Sequence, residues 1–372
     1  MNETALTWLV FILAFGGMVI IHELGHFIAA RLCKIEVEEF GIGLPTPGAI
    51  TLFTWQGTKF TLNWLPLGGF VRPKGENDPT VQGGLAAATP WRRFIVLVAG
   101  PAMNLLAAVL IYSFIFYRVG VPDTSRVLVS SVMSNSPAEE AGFQDGDIFI
   151  SGDGTPIASY DDLRVIVDGN VDQPVVFLVE RDGTEVELTA TPAFFEDENR
   201  AMIGVGLGVP FVRANSPIET LSLGARYTYF SIRNLLSLPA QMIRGSLTED
   251  QSRVIGLKGI FDIIGQTVSR DIEASANVSA GTAPSTDPMD QPVRTLELIA
   301  ALSISLGVFN LFPFPALDGG RIIFLLPELI FRRRVPAQVE NLIHGLGMTV
   351  LLLFMIYVNV MDFINPINVT IP

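Results

Sequence analysis

The sequence predicts a multi-pass α-helical membrane protein with four transmembrane helices, a membrane-associated β-hairpin sheet, and a compact α/β domain inserted between the second and third spans. Three observations carry this. Only 16% of the 372 residues are charged and mean hydropathy is +0.45, well above the soluble mix. A hydrocarbon core about 30 Å thick needs about 20 mostly apolar residues in a helix, and four segments supply them: Ala5 to Ala30, Phe94 to Tyr117, Leu298 to Leu317 and Leu342 to Met361. The acidity is local, because seventeen Asp and Glu against four Lys and Arg between Val121 and Arg200 account for the whole formal charge of −13. That excess belongs to one solvated module, and with no basic patch anywhere nucleic-acid binding is excluded.

The first span lies within residues 1–38, and its run from Ala5 to Ile21 carries no charge. Glu3 stands where a signal peptide would carry Lys or Arg, and no small-residue cleavage pattern follows, so the segment is expected to be retained. Cys33, the single cysteine, rules out an intramolecular disulfide and a cysteine-rich metal site and is read as a small apolar packer. Residues 39–75, "EFGIGLPTPGAITLFTWQGTKFTLNWLPLGGFVRPK" with the Glu39 start, alternate β-type runs with a "QG" turn and end in "PLGGF". The runs are too short and too broken by Gly and Pro to span as a helix, so a β-hairpin sheet at the membrane is expected.

The second transmembrane helix is placed at 90–118. Beyond it, at 121–212, short β-rich runs alternate with turns such as "GDGTP" and "RDG", and "SYDDLRVIVDG" has helical spacing; these describe a mixed α/β domain. Residues 217–270 include "SLGARYTYFSIRNLLSLPAQMIRGS", read as an interfacial amphipathic region, and 271–293, rich in Ala, Ser, Thr and Pro, as a flexible external loop. The third transmembrane segment takes 294–331 and the fourth 340–363. Lys and Arg collect on the cytoplasmic side. Arg31 and Lys34 follow the first span, Arg92 and Arg93 precede the second, and Arg332, Arg333 and Arg334 follow the third. All three clusters share one side if both termini and the inserted domain are extracytoplasmic.

At the end of the first span stands "HELGH". His22 and His26, four residues apart, share one helical face with Glu23 beside them, the H-E-x-x-H pattern of zinc hydrolases. Zinc binds neutral imidazole and lowers the pKa of a bound water to about 7; Glu23 would take that water's proton and pass it to the leaving amine. Polar groups at membrane depth are costly and mark function. A catalytic zinc needs a third protein ligand. Ala29 and Leu32 stand where a metzincin extension would need Gly and His, Glu36, Glu38 and Glu39 would have to fold back, and His344 is the other histidine. Asp318 is the better candidate: it ends the apolar run "NLFPFPALDGGRI", where Pro313 and Pro315 unwind the helix and aim Asp318 and Asn310 at a shared site. His344 matches no motif and is read as a polar residue of the fourth span.

The inserted stretch "SNSPAEEAGFQDGDIFISGDGTPIASYDDL" resembles bacterial PDZ domains at Ser136, Pro137, Ala138, Ala141, Gly142, Gly146 and Asp147. That resemblance implies recognition of a peptide or C-terminus, or gating of access. With it, "HELGHFIAARLC", "PLGGFVRPKGEN", "TPWRRFIVLVAGPAMNLL" and "NLFPFPALDGGRIIF" resemble, over nearly the whole chain, the site-2 protease family of intramembrane zinc metalloproteases, its bacterial RseP-like branch, with one PDZ domain. The resemblance implies a zinc metalloendopeptidase of the inner (plasma) membrane with Zn2+ on His22, His26 and Asp318 and Glu23 catalytic. It further implies that Asn310 holds substrate or the developing oxyanion, that Asn104 of "GPAMN" is structural or touches substrate, and that Gly68 and Gly69 belong to a sheet that pairs with an unwound substrate. The implied partners are membrane lipid and single-pass membrane proteins, such as anti-sigma factors or remnant signal peptides; the charge clusters put His26 and Asp318, and so the expected cleavage, in the cytoplasmic half of the bilayer. A competing expectation is a catalytically inactive metal-binding scaffold or chaperone acting through its PDZ domain; a free fourth zinc position with Glu23 retained speaks against it.

Overall fold

Asn2 accepts a hydrogen bond from the Ala5 N–H at 2.9 Å and opens α1, Glu3–Leu32. In this computed structural model the described residues are 2–46, 48–76, 78–195, 200–245, 253–279 and 291–365. Among them, three helices are long and apolar enough to cross a membrane: α1, α2 (Pro90–Val119) and the last helix, Ala337–Ile364. The third expected span is divided. Residues 294–331 form one helix at Arg294–Asn310 and another at Asp318–Phe331. Pro313 and Pro315 supply no N–H between them, so the helical ladder stops. The first piece, 17 residues, is about 26 Å long, short of the hydrocarbon thickness by itself.

Residues 39–75 form a single four-stranded sheet: β1 (Val37–Leu44), β2 (Ile50–Trp55), β3 (Thr58–Leu62) and β4 (Leu65–Pro73), in the order β2-β3-β1-β4. One expected hairpin is present. Gln56 and Gly57 both have positive φ, 48° and 86°, the two-residue turn that matches strand twist. The rest departs from a chain of hairpins: β1 inserts between β3, which it pairs in parallel, and β4, which it pairs antiparallel. The cause is apolar burial, since Phe40 at the centre of β1 packs on Phe27 of α1 and Phe60 of β3. This arrangement makes β4 an edge strand.

The inserted domain contains β5 (Val121–Pro122), β6 (Val127–Val132), α3 (Pro137–Ala141), β7 (Ile148–Gly152), β8 (Thr155–Pro156), α4 (Tyr160–Gly169), β9 (Val175–Arg181), β10 (Thr184–Ala190), β11 (Ala193–Phe195), β12 (Arg200–Met202), β13 (Val205–Gly208) and β14 (Phe211–Val212). Its main sheet runs β10-β9-β7-β6-β13. Phe143, Phe149 and Phe177, with centroids 5.6–5.9 Å apart, sit at the centre of its core. The Gly-Asp of the sequence motif is structural. Asp147 is fully buried and holds Arg181 through two 2.7 Å bonds, and Ser136 caps α3.

Two helices make up most of residues 217–270, expected as an interfacial amphipathic region, and reach into the expected loop. The first, α5 (Pro217–Ile243), packs on α2 through small residues: a Cβ at Gly224 would meet Ser113 Oγ at 2.4 Å and the Val109 carbonyl oxygen at 2.6 Å. The second, α6 (Leu257–Ser279), lays Leu257, Ile260, Phe261, Ile264 and Val268 along Phe11 of α1, a one-faced stripe at helical spacing. Helix therefore covers residues 271–279 of the expected loop 271–293, whose residues 280–290 lie outside the described ones. The remaining helices are α7 (Arg294–Asn310), α8 (Asp318–Phe331) and α9 (Ala337–Ile364). The chain divides into one compact unit of residues 1–113, 221–270 and 294–372 and another of 114–220 and 271–293.

Candidate metal centre

His22 and His26 lie four residues apart on α1 and so share a face, with their rings edge-on and centroids 4.8 Å apart. Asp318 reaches them because the break after α7 restarts the chain as α8 with that carboxylate in its first residue. Glycines make the restart possible: a Cβ at Gly319 would lie 2.2 Å from the Phe312 carbonyl oxygen, and one at Gly320 would lie 2.3 Å from that of Phe314. Ion pairs brace α8, one between Arg93 and Glu328 at 2.6 Å and one between Arg321 and Glu76.

Three atoms converge. His22 Nε2 is 3.2 Å from His26 Nε2, and Asp318 Oδ2 is 3.1 Å and 3.3 Å from the two. Zinc bound tetrahedrally at about 2.0–2.2 Å to N and O ligands holds those ligands about 3.3–3.5 Å apart, so this triangle is within a few tenths of an ångström of a zinc cage. Protonation agrees. His26 Nδ1 lies 2.7 Å from the Val96 carbonyl oxygen, which can only accept, so the proton of the neutral ring sits on Nδ1 and Nε2 presents a lone pair. Asp318 Oδ2 is buried without a hydrogen bond; the imidazoles are within ion-pair distance of it but not in hydrogen-bond geometry. Inward-facing lone pairs at this spacing suit a cation.

Asn104 on α2 is fully buried, its amide 3.3 Å from His22 Nδ1. With the amide nitrogen facing the ring, Oδ1 is buried and unpartnered; turned over, Oδ1 accepts from Nδ1–H and leaves Nε2 free for a metal. Asn104, expected to be structural or to touch substrate, stands buried beside His22. Ser303 of α7 donates to the Asn104 carbonyl oxygen at 2.9 Å.

Glu23 faces β4. A Cβ at Gly69 would lie 3.3 Å from Glu23 Cγ. Gly68 has φ of +102°, the region glycine takes without penalty. Asn310 is the last residue of α7, and among the described residues no hydrogen bond ties it to His22, Glu23, His26 or Asp318. The alternative ligands are engaged elsewhere or turned out: Glu36 pairs with Lys74 and Glu39 with Arg72, each at 2.7 Å, and Glu38 is exposed.

Sequence reasoning missed Gly100, whose Cβ would sit 2.3 Å from His26 Nε2. A glycine inside an apolar helix just before Pro101 was the readable signal. The Val96 carbonyl has no side-chain signature at all.

The site and its helices define a class: a membrane-embedded protein with a metallopeptidase-type centre of two histidines, a carboxylate and an adjacent glutamate. Residues 10–354 match the family model described as Peptidase family M50, and the chain belongs to that family. It is 33% identical over 360 residues to a protein of Clostridium perfringens (strain 13 / Type A) described as a zinc metalloprotease, covering 96% of this chain and 98% of that one. It is 29% identical over 374 residues, 91% of each chain, to the metalloprotease MmpA of Caulobacter vibrioides. The solved PDZ domain of the SdrC-like protein from Listeria monocytogenes aligns with 22% of this chain and 85% of its own at 20% identity, with a TM-score of 0.21, too loose a likeness to bear on the fold.

Proposed function

We propose that this chain cleaves single-pass membrane proteins within their transmembrane segments, with His22, His26 and Asp318 holding zinc and Glu23 as the general base. It is a zinc metallopeptidase of the site-2 type and an integral membrane protein. The observation that carries the residue assignment is the triangle of His22 Nε2, His26 Nε2 and Asp318 Oδ2 with edges of 3.1–3.3 Å.

Zinc held there supplies the Lewis acidity that makes water a nucleophile at neutral pH. The chain's own residues do the rest. Glu23 takes the proton of the attacking water and delivers it to the leaving amine. The Val96 carbonyl and Asn104 fix the two imidazoles, and Asn310 steadies the substrate or the developing oxyanion. A transmembrane helix has its amides satisfied, so a substrate must unwind before its carbonyl is exposed. The free edge of β4, cleared of side chains at Gly68 and Gly69 and lying against Glu23, offers strand pairing to the unwound segment and offsets part of that cost.

In this reading the divided α7–α8 segment makes the third of four crossings. Both termini and the inserted PDZ-like domain are extracytoplasmic, and the centre lies toward the cytoplasmic half of the inner membrane; the Arg and Lys clusters support this orientation. The domain filters substrates by size or binds a new C-terminus.

The test compares wild type with Glu23→Gln at matched zinc content on a model single-pass substrate in liposomes. Wild type should cut within the span while the variant binds zinc and does not cut. If neither cuts a panel of trimmed substrates while both hold zinc, the protease reading falls and a scaffold role replaces it.

A further inference from the structure

Two residues before Asp318, Ala316 has φ of +83°, a left-handed conformation that an L residue other than glycine adopts only when its surroundings hold it there. Its neighbours cannot supply the hold. Pro313 and Pro315 have no N–H, and the local bonds from Phe314 N to the Phe312 oxygen at 2.7 Å and from Leu317 N to the Phe314 oxygen at 3.2 Å leave the Ala316 N–H to find a partner outside the turn. That partner is on another helix: Ala316 N donates to Nδ1 of His344, on α9, at 2.9 Å.

The rest of α9 fits the same task. One helical turn beyond His344, a Cβ at Gly347 would lie 2.4 Å from Pro315 Cβ and 2.8 Å from its carbonyl oxygen, so α9 rests directly on this turn. The His344 ring lies 5.4 Å from Phe324 of α8, which fixes its plane. Leu317, at the N-cap of α8, has no side chain able to cap it, so nothing in the segment itself sets where α8 begins. Rotation about the Ala316 N–Cα bond swings every later atom, Asp318 first among them.

We infer that His344 is a positioning residue for Asp318: it holds Ala316 in the left-handed region and so aims the third carboxylate at His22 and His26. The inference rests on Asp318 being a zinc ligand. It predicts that the need for His344 disappears when residue 316 can take a positive φ at no cost, which glycine does.

The experiment measures zinc affinity by chelator competition on the full chain in detergent micelles, with Zn2+ alone as probe. The variants are His344→Phe, His344→Asn, Ala316→Gly, the double variant of His344→Phe with Ala316→Gly, and Asp318→Asn. His344→Phe fills the ring volume without an acceptor and should weaken zinc binding about tenfold, the size of the conformational penalty it releases. His344→Asn keeps an acceptor near the Nδ1 position and should bind close to wild type. The double variant should recover most of the lost affinity. Unchanged affinity in His344→Phe overturns the inference. A loss that Ala316→Gly does not repair also overturns it, assigning His344 to packing. If Asp318→Asn binds zinc as tightly as wild type, the ligand assignment itself fails, an outcome separate from the other two.

Discussion

Gly100→Ala adds one carbon at the most crowded point of the centre. The new Cβ would stand 2.3 Å from His26 Nε2 and 2.7 Å from its Cε1. Non-bonded heavy atoms settle near 3.5 Å, so the ring must retreat by roughly 1 Å. Metal–ligand bonds tolerate about 0.2 Å, and the retreat also strains the 2.7 Å bond from His26 Nδ1–H to the Val96 oxygen. Loss of that bond costs about 1 kcal/mol, and Ala in a helix interior returns up to about 1 kcal/mol over Gly. The two nearly cancel, so the melting temperature should move little. Zinc affinity, in contrast, should fall about 100-fold or more, beyond what loss of a supporting partner usually costs, and cleavage should fall with it. Chelator competition for zinc beside a thermal melt of the same detergent-solubilised sample reads both quantities. A Gly100→Ala protein with wild-type zinc affinity and activity would refute the placement of α2 against His26, and a protein that simply unfolds would refute the energy balance.

Three further outcomes follow from the same geometry. Asn104→Leu removes the acceptor facing His22 Nδ1 and should weaken zinc binding about 10–100-fold, whereas Asn104→Asp keeps an acceptor and should retain zinc; equal affinity in both would remove Asn104 from the centre. Gly69→Val should suppress cleavage while leaving zinc bound, because its branches press on Glu23 and Val19, 3.3 Å and 3.5 Å from the new Cβ, and not on the imidazoles; metal analysis beside a cleavage assay separates the two. In the inserted domain the Ser159 hydroxyl, then the Ala158 N–H, hold the Asp162 carboxyl below the ordinary aspartate range. A depressed folded-state value adds stability above the unfolded value, about 3.9, that disappears as pH falls through the folded one. NMR titration of Ser159→Ala should show the Asp162 midpoint moving up, and an unmoved midpoint would contradict the cap.

The amino-acid order was enough for features that depend on local spacing or on transfer from water. A helical period of 3.6 puts His22 and His26 on one face whatever surrounds them, and long apolar runs with few charges set the three spans α1, α2 and α9. Prolines at 313 and 315 announced a broken helix, and the β-rich, acidic stretch announced a separate domain. The short β-type runs of residues 39–75 announced strands, but not their partners: β1 between β3 and β4 is chosen by how Phe40 packs on Phe27 and Phe60, a contact no local pattern encodes.

Asp318 was the carboxylate the sequence favoured, but only tertiary structure shows how it meets His22 and His26, almost 300 residues away in the chain. Tertiary structure also decided the supports. Val96 contributes a backbone carbonyl, Asn104 lies beside His22, and His344 finds its partner in the main chain at Ala316. Main-chain groups are the same at every position, so sequence cannot mark the ones that matter; only the packing of α1, α2, α8 and α9 brings them close to His22, His26 and Asp318.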